Sequence, residues 1–125
     1  MHHTLGAFLA AFLLVCSSTP ALADDVSAVV TPIGLQVNTP PGDTYLTYHG
    51  RLFVKTADGA LDEYHWGGVS CGTRVLTDAQ VAALQATLNN NKMRLQILSQ
   101  IGQGNIKCVV GFMAVPKSAV KLVLP

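Results

Sequence analysis

From Thr44 to Thr56 apolar and polar positions alternate: Leu46, Tyr48, Leu52 and Val54 share one parity with Gly50, and Tyr45, His49, Arg51, Phe53 and Lys55 share the other. That is the period-two pattern of a strand with one buried face. Asp58-Gly59 follows, and an extended pattern resumes over Leu61–Cys71. Both turn residues tolerate the positive φ of a two-residue type I′ turn, which predicts a hairpin. Counting outward from that turn sets Lys55 against Asp62, Phe53 against Tyr64 and Arg51 against Trp66. Those pairs are ionic, aromatic and cation–π, each worth roughly 0.2–1 kcal/mol across a sheet.

Upstream, the β-branched runs Val26–Val30 and Ile33–Val37 are interrupted by Pro32, which predicts a first strand that is kinked or on an edge. "NTPPGD", residues 38–43, is a loop by composition. Downstream the period changes to that of a helix. Thr77 is a good N-cap, Gln80 completes a capping box, and Leu76 can staple onto Val81. Val81, Leu84 and Leu88 recur at helical spacing, and the Asn89-Asn90-Asn91 run supplies residues that accept the left-handed conformation at a C-terminus. The helix is therefore predicted from about Asp78 to Asn89. Lys92–Ile101 alternates again, Gly102–Asn105 forms a turn, and Ile106–Val115 is apolar enough to predict a central strand buried on both faces, stopped by Pro116. The tail from Lys117 to Pro125 could add a short edge strand.

The apolar run Leu5–Val15 and the small-x-small pattern Ala21-Leu22-Ala23 are those of a secretory signal peptide over residues 1–23, with cleavage expected before Asp24. The run is too short to span about 30 Å of hydrocarbon, which argues against an anchor there, and no second hydrophobic segment is long enough to cross, so the mature chain is not expected to be membrane-spanning. Leu13-Leu14-Val15-Cys16 resembles a lipobox, but Val15 stands where a small residue belongs, which argues against a lipid anchor at Cys16. Export to the periplasm or the medium is the expectation. Residues 24–125 then form one domain, and its only cysteines are Cys71 and Cys108. Two cysteines in an exported domain of this size are expected to form a disulfide, which would stabilise it by about 4 kcal/mol through loop closure.

A net charge of +1 argues against a nucleic-acid partner. Its distribution is uneven: up to Asp78 there are seven acids against Arg51, Lys55 and Arg74, a balance of −4, and beyond it five basic residues and no acid, +5. Either the two halves interleave and neutralise each other, or one face is basic toward an anionic partner or a neighbouring subunit.

The order strand, strand, strand, helix, strand, strand predicts a mainly β domain with one helix: a small five-stranded Greek-key barrel, OB-like, β-β-β-α-β-β. A flat antiparallel sheet carrying one helix is the alternative. A disulfide-bonded exported domain of this length and order resembles the OB-fold B subunits of AB5-type bacterial toxins and related small exported bacterial proteins. That resemblance covers residues 24–125 and rests on architecture. It implies a receptor-binding module, often for glycans, and a ring-forming homo-oligomer.

Catalytic chemistry is poorly served. A nucleophilic Cys71 would have His49 or His65 as base, but its expected partner Cys108 removes the free thiol. The same four residues have zinc-ligand types without a short ligand spacing, so no metal is expected, and no cofactor motif is present. Asp62 and Glu63 point to opposite sides of one strand, and Asp58 belongs to the turn. No catalytic residue is assigned.

Aromatic placement is more informative, because five of the six aromatics in residues 24–125 lie between Tyr45 and Trp66. On the two-residue turn, Tyr45, Phe53, Tyr64 and Trp66 share a face with His49, Arg51, Lys55 and Asp62. Either that face is the core, or Leu46, Tyr48, Leu52 and Val54 face the core and the aromatic face is exposed. Arg51 and Lys55 standing mid-strand favour the second, since unpaired buried charges are costly. The candidate binding residues are then Tyr45, His49, Arg51, Phe53, Tyr64 and Trp66. The function this predicts is non-enzymatic recognition of a glycan or protein partner, with an envelope accessory or inhibitor protein that docks a protein as the alternative.

Overall fold

The computed structural model describes residues 24–119; the expected signal peptide, Cys16 and the rest of the C-terminal tail lie outside them. Six strands form one mixed sheet: β1 (Asp25–Val26), β2 (Thr31–Val37), β3 (Gly50–Lys55), β4 (Leu61–Trp66), β5 (Met93–Ile101) and β6 (Lys107–Pro116). Their order across the sheet is β1-β5-β6-β4-β3-β2, antiparallel except for β4 beside β6. Three helices interrupt them: α1 (Asp43–Thr47), α2 (Gly68–Cys71) and α3 (Asp78–Leu88). The domain is mainly β, but it is an open six-stranded mixed sheet with three helices and not the closed five-stranded Greek-key barrel with one helix that was expected, because the predicted first strand divides into β1 and β2 at the two ends of the sheet order.

The extra strand arises because the predicted first strand divides upstream of Pro32, between Val26 and Thr31. One segment from Asp25 to Val37 lies first on β5 and then on β3. Ser27 N–H donates to Ile97 O and Val30 exchanges both backbone bonds with Leu95 at 2.8 and 2.9 Å, after which β2 pairs with β3. A bulge between Pro32 and Gly34 absorbs the change of direction.

The helix α3 follows the sequence pattern closely. Thr77 Oγ1 accepts from Gln80 N–H at 3.1 Å, and Gln80 Oε1 accepts from Thr77 N–H at 2.9 Å. Leu84 is fully buried, and the predicted staple residues Leu76 and Val81 both pack against the core. The end differs from expectation: Asn89 caps in a right-handed conformation (φ −82°), with its N–H on Gln85 O.

The core joins Val30, Leu52, Val54, Tyr64, Trp66, Leu84, Leu95, Ile97 and Val109. Each large side chain among them contributes on the order of 1.5–3 kcal/mol by leaving water. The strand β6 is central, but only Cys108, Val109 and Val115 on it are buried. It shares one rung with β4, His65 opposite Cys108, so the remainder of β6 pairs with β5 alone and is half-covered. Cys71 and Cys108 are bonded, with Cα atoms 5.7 Å apart. Cys71 sits in α2 rather than in a strand, so the bond ties the turn after β4 to β6.

The hairpin forms, but in another register. Thr56 N–H donates to Ala60 O at 2.8 Å and Gly59 N–H to Thr56 O at 2.9 Å, with Gly59 at φ 90°. The loop is thus three residues, a turn followed by a glycine in the left-handed region, not the two-residue turn expected. Asp58 favours it by accepting from Ala60 N–H at 3.2 Å and from the Thr56 hydroxyl. The pairs become Gly50–Trp66, Arg51–His65, Leu52–Tyr64, Phe53–Glu63, Val54–Asp62 and Lys55–Leu61. One residue of slip exchanges the two faces of β4. Lys55 and Asp62 no longer meet, and Asp62 pairs with Lys107 instead.

Candidate binding face

The slip divides the predicted aromatic face in two. Tyr64 and Trp66 turn inward with Leu52 and Val54, and Trp66 is only 2% exposed. Neither belongs to a surface platform. Arg51 and Phe53 stay on the outer face, joined there by Glu63 and His65 from β4.

Three glycine positions fix what surrounds them. Gly50 stands opposite Trp66, and a Cβ on it would fall on the indole and within 2.6 Å of Gln36 O. Gly67 and Gly68 both have positive φ (71° and 67°), which ends β4 and swings the chain into α2. A side chain at Gly67 would fall on the His49 ring, and one at Gly68 would press on the Thr47–Tyr48 backbone. The absence of those side chains lets the segment after α1 lie against the end of β4, where His49 N–H donates to Trp66 O at 2.7 Å.

The short helix α1 replaces the first part of the strand predicted from Thr44. Its ring-bearing residue Tyr45 stacks on His49 at 4.2 Å between centroids and 9° between planes, while Leu46 is exposed instead of facing the core. Because the helix breaks the strand parity, Tyr48 lies with the outer-face residues: its ring packs 4.7 Å from that of His65.

Arg51 is the hub. Its guanidinium carbon lies 4.8 Å from the Phe53 ring centroid and 5.5 Å from that of Tyr48. Arg51 Nε donates to Gln36 Oε1 at 2.8 Å, and Nη1 to Glu63 Oε2 at 3.3 Å. The amide of Gln36 donates in turn to Asn38 Oδ1 at 2.9 Å, and Asn38 Nδ2 to Tyr48 O at 3.0 Å. The same Glu63 oxygen lies 2.5 Å from His65 Nε2. The hydrogen bond from His65, supported by Arg51, holds the Glu63 carboxyl below the usual carboxylate range against the opposing effect of partial burial. The mid-strand arginine is therefore neither buried nor unpaired; it is held by cation–π contacts with two rings, by the Gln36 amide and by one carboxylate.

Of the six predicted residues, Tyr45, His49, Arg51 and Phe53 belong to this half-buried cluster and Tyr64 and Trp66 belong to the core. Sequence reasoning missed Gln36, Asn38, Tyr48, Glu63 and His65. The Thr56 hydroxyl and Asp58 carboxylate were the signal that could have recovered Glu63 and His65, since both favour the longer turn. The zinc set does not assemble: His49 stacks on Tyr45, His65 binds Glu63 and both cysteines are bonded to each other. No cluster of three metal-ligating side chains occurs among the described residues, and no helix among them is long and apolar enough to cross a membrane.

Comparison with known protein families, curated proteins and solved structures returns no match for this chain.

Proposed function

We propose that this is an exported, non-enzymatic binding module that recognises a glycan on the outer face of β3 and β4, with the loop from Asn38 to His49 forming one wall. The observation that carries this reading is the half-exposed cluster in which Arg51 lies against Phe53 and Tyr48 while Tyr45 and His49 stack beside it. Flat rings and a fixed planar guanidinium suit the apolar faces of sugar rings, and Gln36, Asn38 and Glu63 supply directional partners for hydroxyl groups. The arrangement favours binding over catalysis, because the one imidazole bonded to a carboxylate offers no nitrogen to a substrate. His65 Nε2 is taken by Glu63, and Nδ1 is buried.

The reading is also supported by topology. If β1 and β2 are counted as one bent strand, the strand order approaches that of an OB-like fold without its closed barrel, and in OB folds the second and third strands and the first long loop commonly receive oligomeric ligands. The resemblance to toxin B subunits rests on the same order and extends the proposal to a homo-oligomer secreted or held in the periplasm. A protein partner docking on the β2 edge is the second reading, favoured by Ile33 and Val37, which are 47% and 52% exposed at the end of the sheet.

A glycan array probed with the wild type, Tyr45→Ala and Phe53→Ala tests the proposal. Binding to a defined set of sugars, lost or reduced at least about tenfold in both variants, is the expected result, since such anchors are worth about 1.4 kcal/mol or more. An array without hits, or hits unaffected by both substitutions, would overturn it. Trp66→Ala is not a useful control because it removes core.

A further inference from the structure

At the far end of β3 the bent N-terminal segment crosses from β5 to β3. There the fold opens a groove of about 780 Å³, lined in part by Lys55, Thr31, Thr56, Asp58, Arg94 and Lys117. A smaller recess of about 310 Å³ runs on from it and shares Thr31, Arg94 and Lys117. The three cations come from separate parts of the chain. Thr31 pairs with Lys55, Val30 pairs with Leu95 beside Arg94, and Lys117 is anchored by its N–H on Lys92 O at 2.9 Å. One carboxylate faces them. Asp58 is engaged by Thr56 and by the Ala60 N–H, and those hydrogen bonds keep it ionised below the usual range. Among the described residues neither Lys55, Arg94 nor Lys117 forms a salt bridge; the three ion pairs found involve Arg51, His65 and Lys107.

Three cations gathered around one groove repel one another, and an anion between them relieves that repulsion. We infer that this groove is a binding site for a phosphate or sulfate monoester carried on a small polar scaffold such as a sugar or a lipid headgroup. Lys55 and Lys117 contribute mobile point charges, Arg94 a planar fork already oriented by its bond to Thr31 Oγ1, and Thr31 and Thr56 hydroxyl groups. The volume exceeds what a bare oxyanion needs and lies within the range of small-molecule sites. Ala28 and Val29 give the scaffold an apolar wall. The site is separate from the aromatic cluster, since Lys55 lies four residues, roughly 13 Å, along β3 from Arg51. It also gives the uneven charge of the sequence a location, because Lys55 from the acidic half joins Arg94 and Lys117 from the basic half.

The test is an amide NMR titration with glucose 6-phosphate, with glucose as the neutral control, on the wild type and on the Lys55→Gln/Lys117→Gln double variant. Both lysines are exposed, so the variant should fold, and the fluorescence of Trp66 checks that it has. Saturable shifts at Thr31, Thr56, Gly59 and Lys117, absent with glucose and weakened at least about tenfold in the double variant, are expected from the loss of two charge-assisted contacts. The same shifts should persist in Tyr45→Ala, which separates this site from the aromatic face, and should weaken as salt is raised. No saturation, equal response to glucose, or undiminished affinity in the double variant would each overturn the inference. Co-sedimentation with phosphatidylcholine vesicles carrying phosphatidic acid then distinguishes the sources. Sedimentation lost in the double variant assigns a lipid headgroup, and saturable glucose 6-phosphate binding without sedimentation assigns a free ester.

Discussion

Replacing Gly50 by Ala tests the register on which the binding face depends. With Gly50 opposite Trp66, the added methyl falls on the indole and close to Gln36 O, so the ring or the strand must move. Overpacking of this kind costs about 1–3 kcal/mol. Expelling the indole would raise the cost toward the roughly 3–5 kcal/mol seen when a large aromatic is removed from a core. The gain from restricting the unfolded chain offsets only about 0.4–1 kcal/mol. A net loss of about 2 kcal/mol is expected, lowering the melting temperature by roughly 8–16 °C in a domain of this size. Trp66 is the only tryptophan in the chain, so its emission reports the displacement directly and its change on unfolding gives the stability in urea. Trp66→Leu alone should be destabilising, but combined with Gly50→Ala it should cost less than the two separately, because the clash has gone. A two-residue turn would instead set Gly50 against Gly67, where a methyl meets no ring. Wild-type stability and unchanged Trp66 emission in Gly50→Ala would refute the three-residue turn and, with it, the assignment of Glu63 and His65 to the outer face.

Thr77→Ala should lower stability by about 1 kcal/mol by removing one half of the capping box, with Thr77→Ser restoring most of it in thermal melts. Two ionisable groups set opposite pH limits. Burial, reinforced by Asp62 and Asp25, pushes the Tyr64 hydroxyl up to about 12. A raised folded value means full stability below the unfolded value near 10 and progressive loss between there and 12. Screening at the edge of the core limits that loss to about 1–2 kcal/mol. Tyr64→Phe should flatten this alkaline slope in urea midpoints measured across that range. The lowered value of Glu63 works in the other direction: its contribution is present above the ordinary carboxylate range and is lost as pH falls through the lowered value, so Glu63→Gln should flatten the acid limb.

Local rules were enough where the signal was local. The capping box at Thr77 and Gln80, the apolar repeat of Val81 and Leu84 and the irregular edge strand at Pro32, seen as a bulge in β2, each act within a few residues, and each appears in the fold. The hairpin was local as well, but two competing turns differ by one residue, and side-chain bonds from Asp58 and Thr56 favour the longer one. That single residue moved Tyr64 and Trp66 from the candidate site to the core and brought in Glu63 and His65. Tyr48 was lost to the same kind of error, since five residues of helix in α1 reset the alternation before β3 began.

What the sequence determined by itself was composition, the capped helix α3, the approximate positions of β3 to β6 and the pairing of its two cysteines outside residues 1–23, because propensity, capping and chain counting operate at short range or need no geometry. Only the tertiary structure decided which face of each strand met the core and which distant residues became neighbours. Faces follow register, and register is selected by packing against the whole sheet. The groove at Lys55, Arg94 and Lys117 follows from a bend that lets one segment pair with β5 and with β3 and so form both edges of the sheet order. No period or motif in the chain encodes that meeting; it arises where β5 and β3 share a partner.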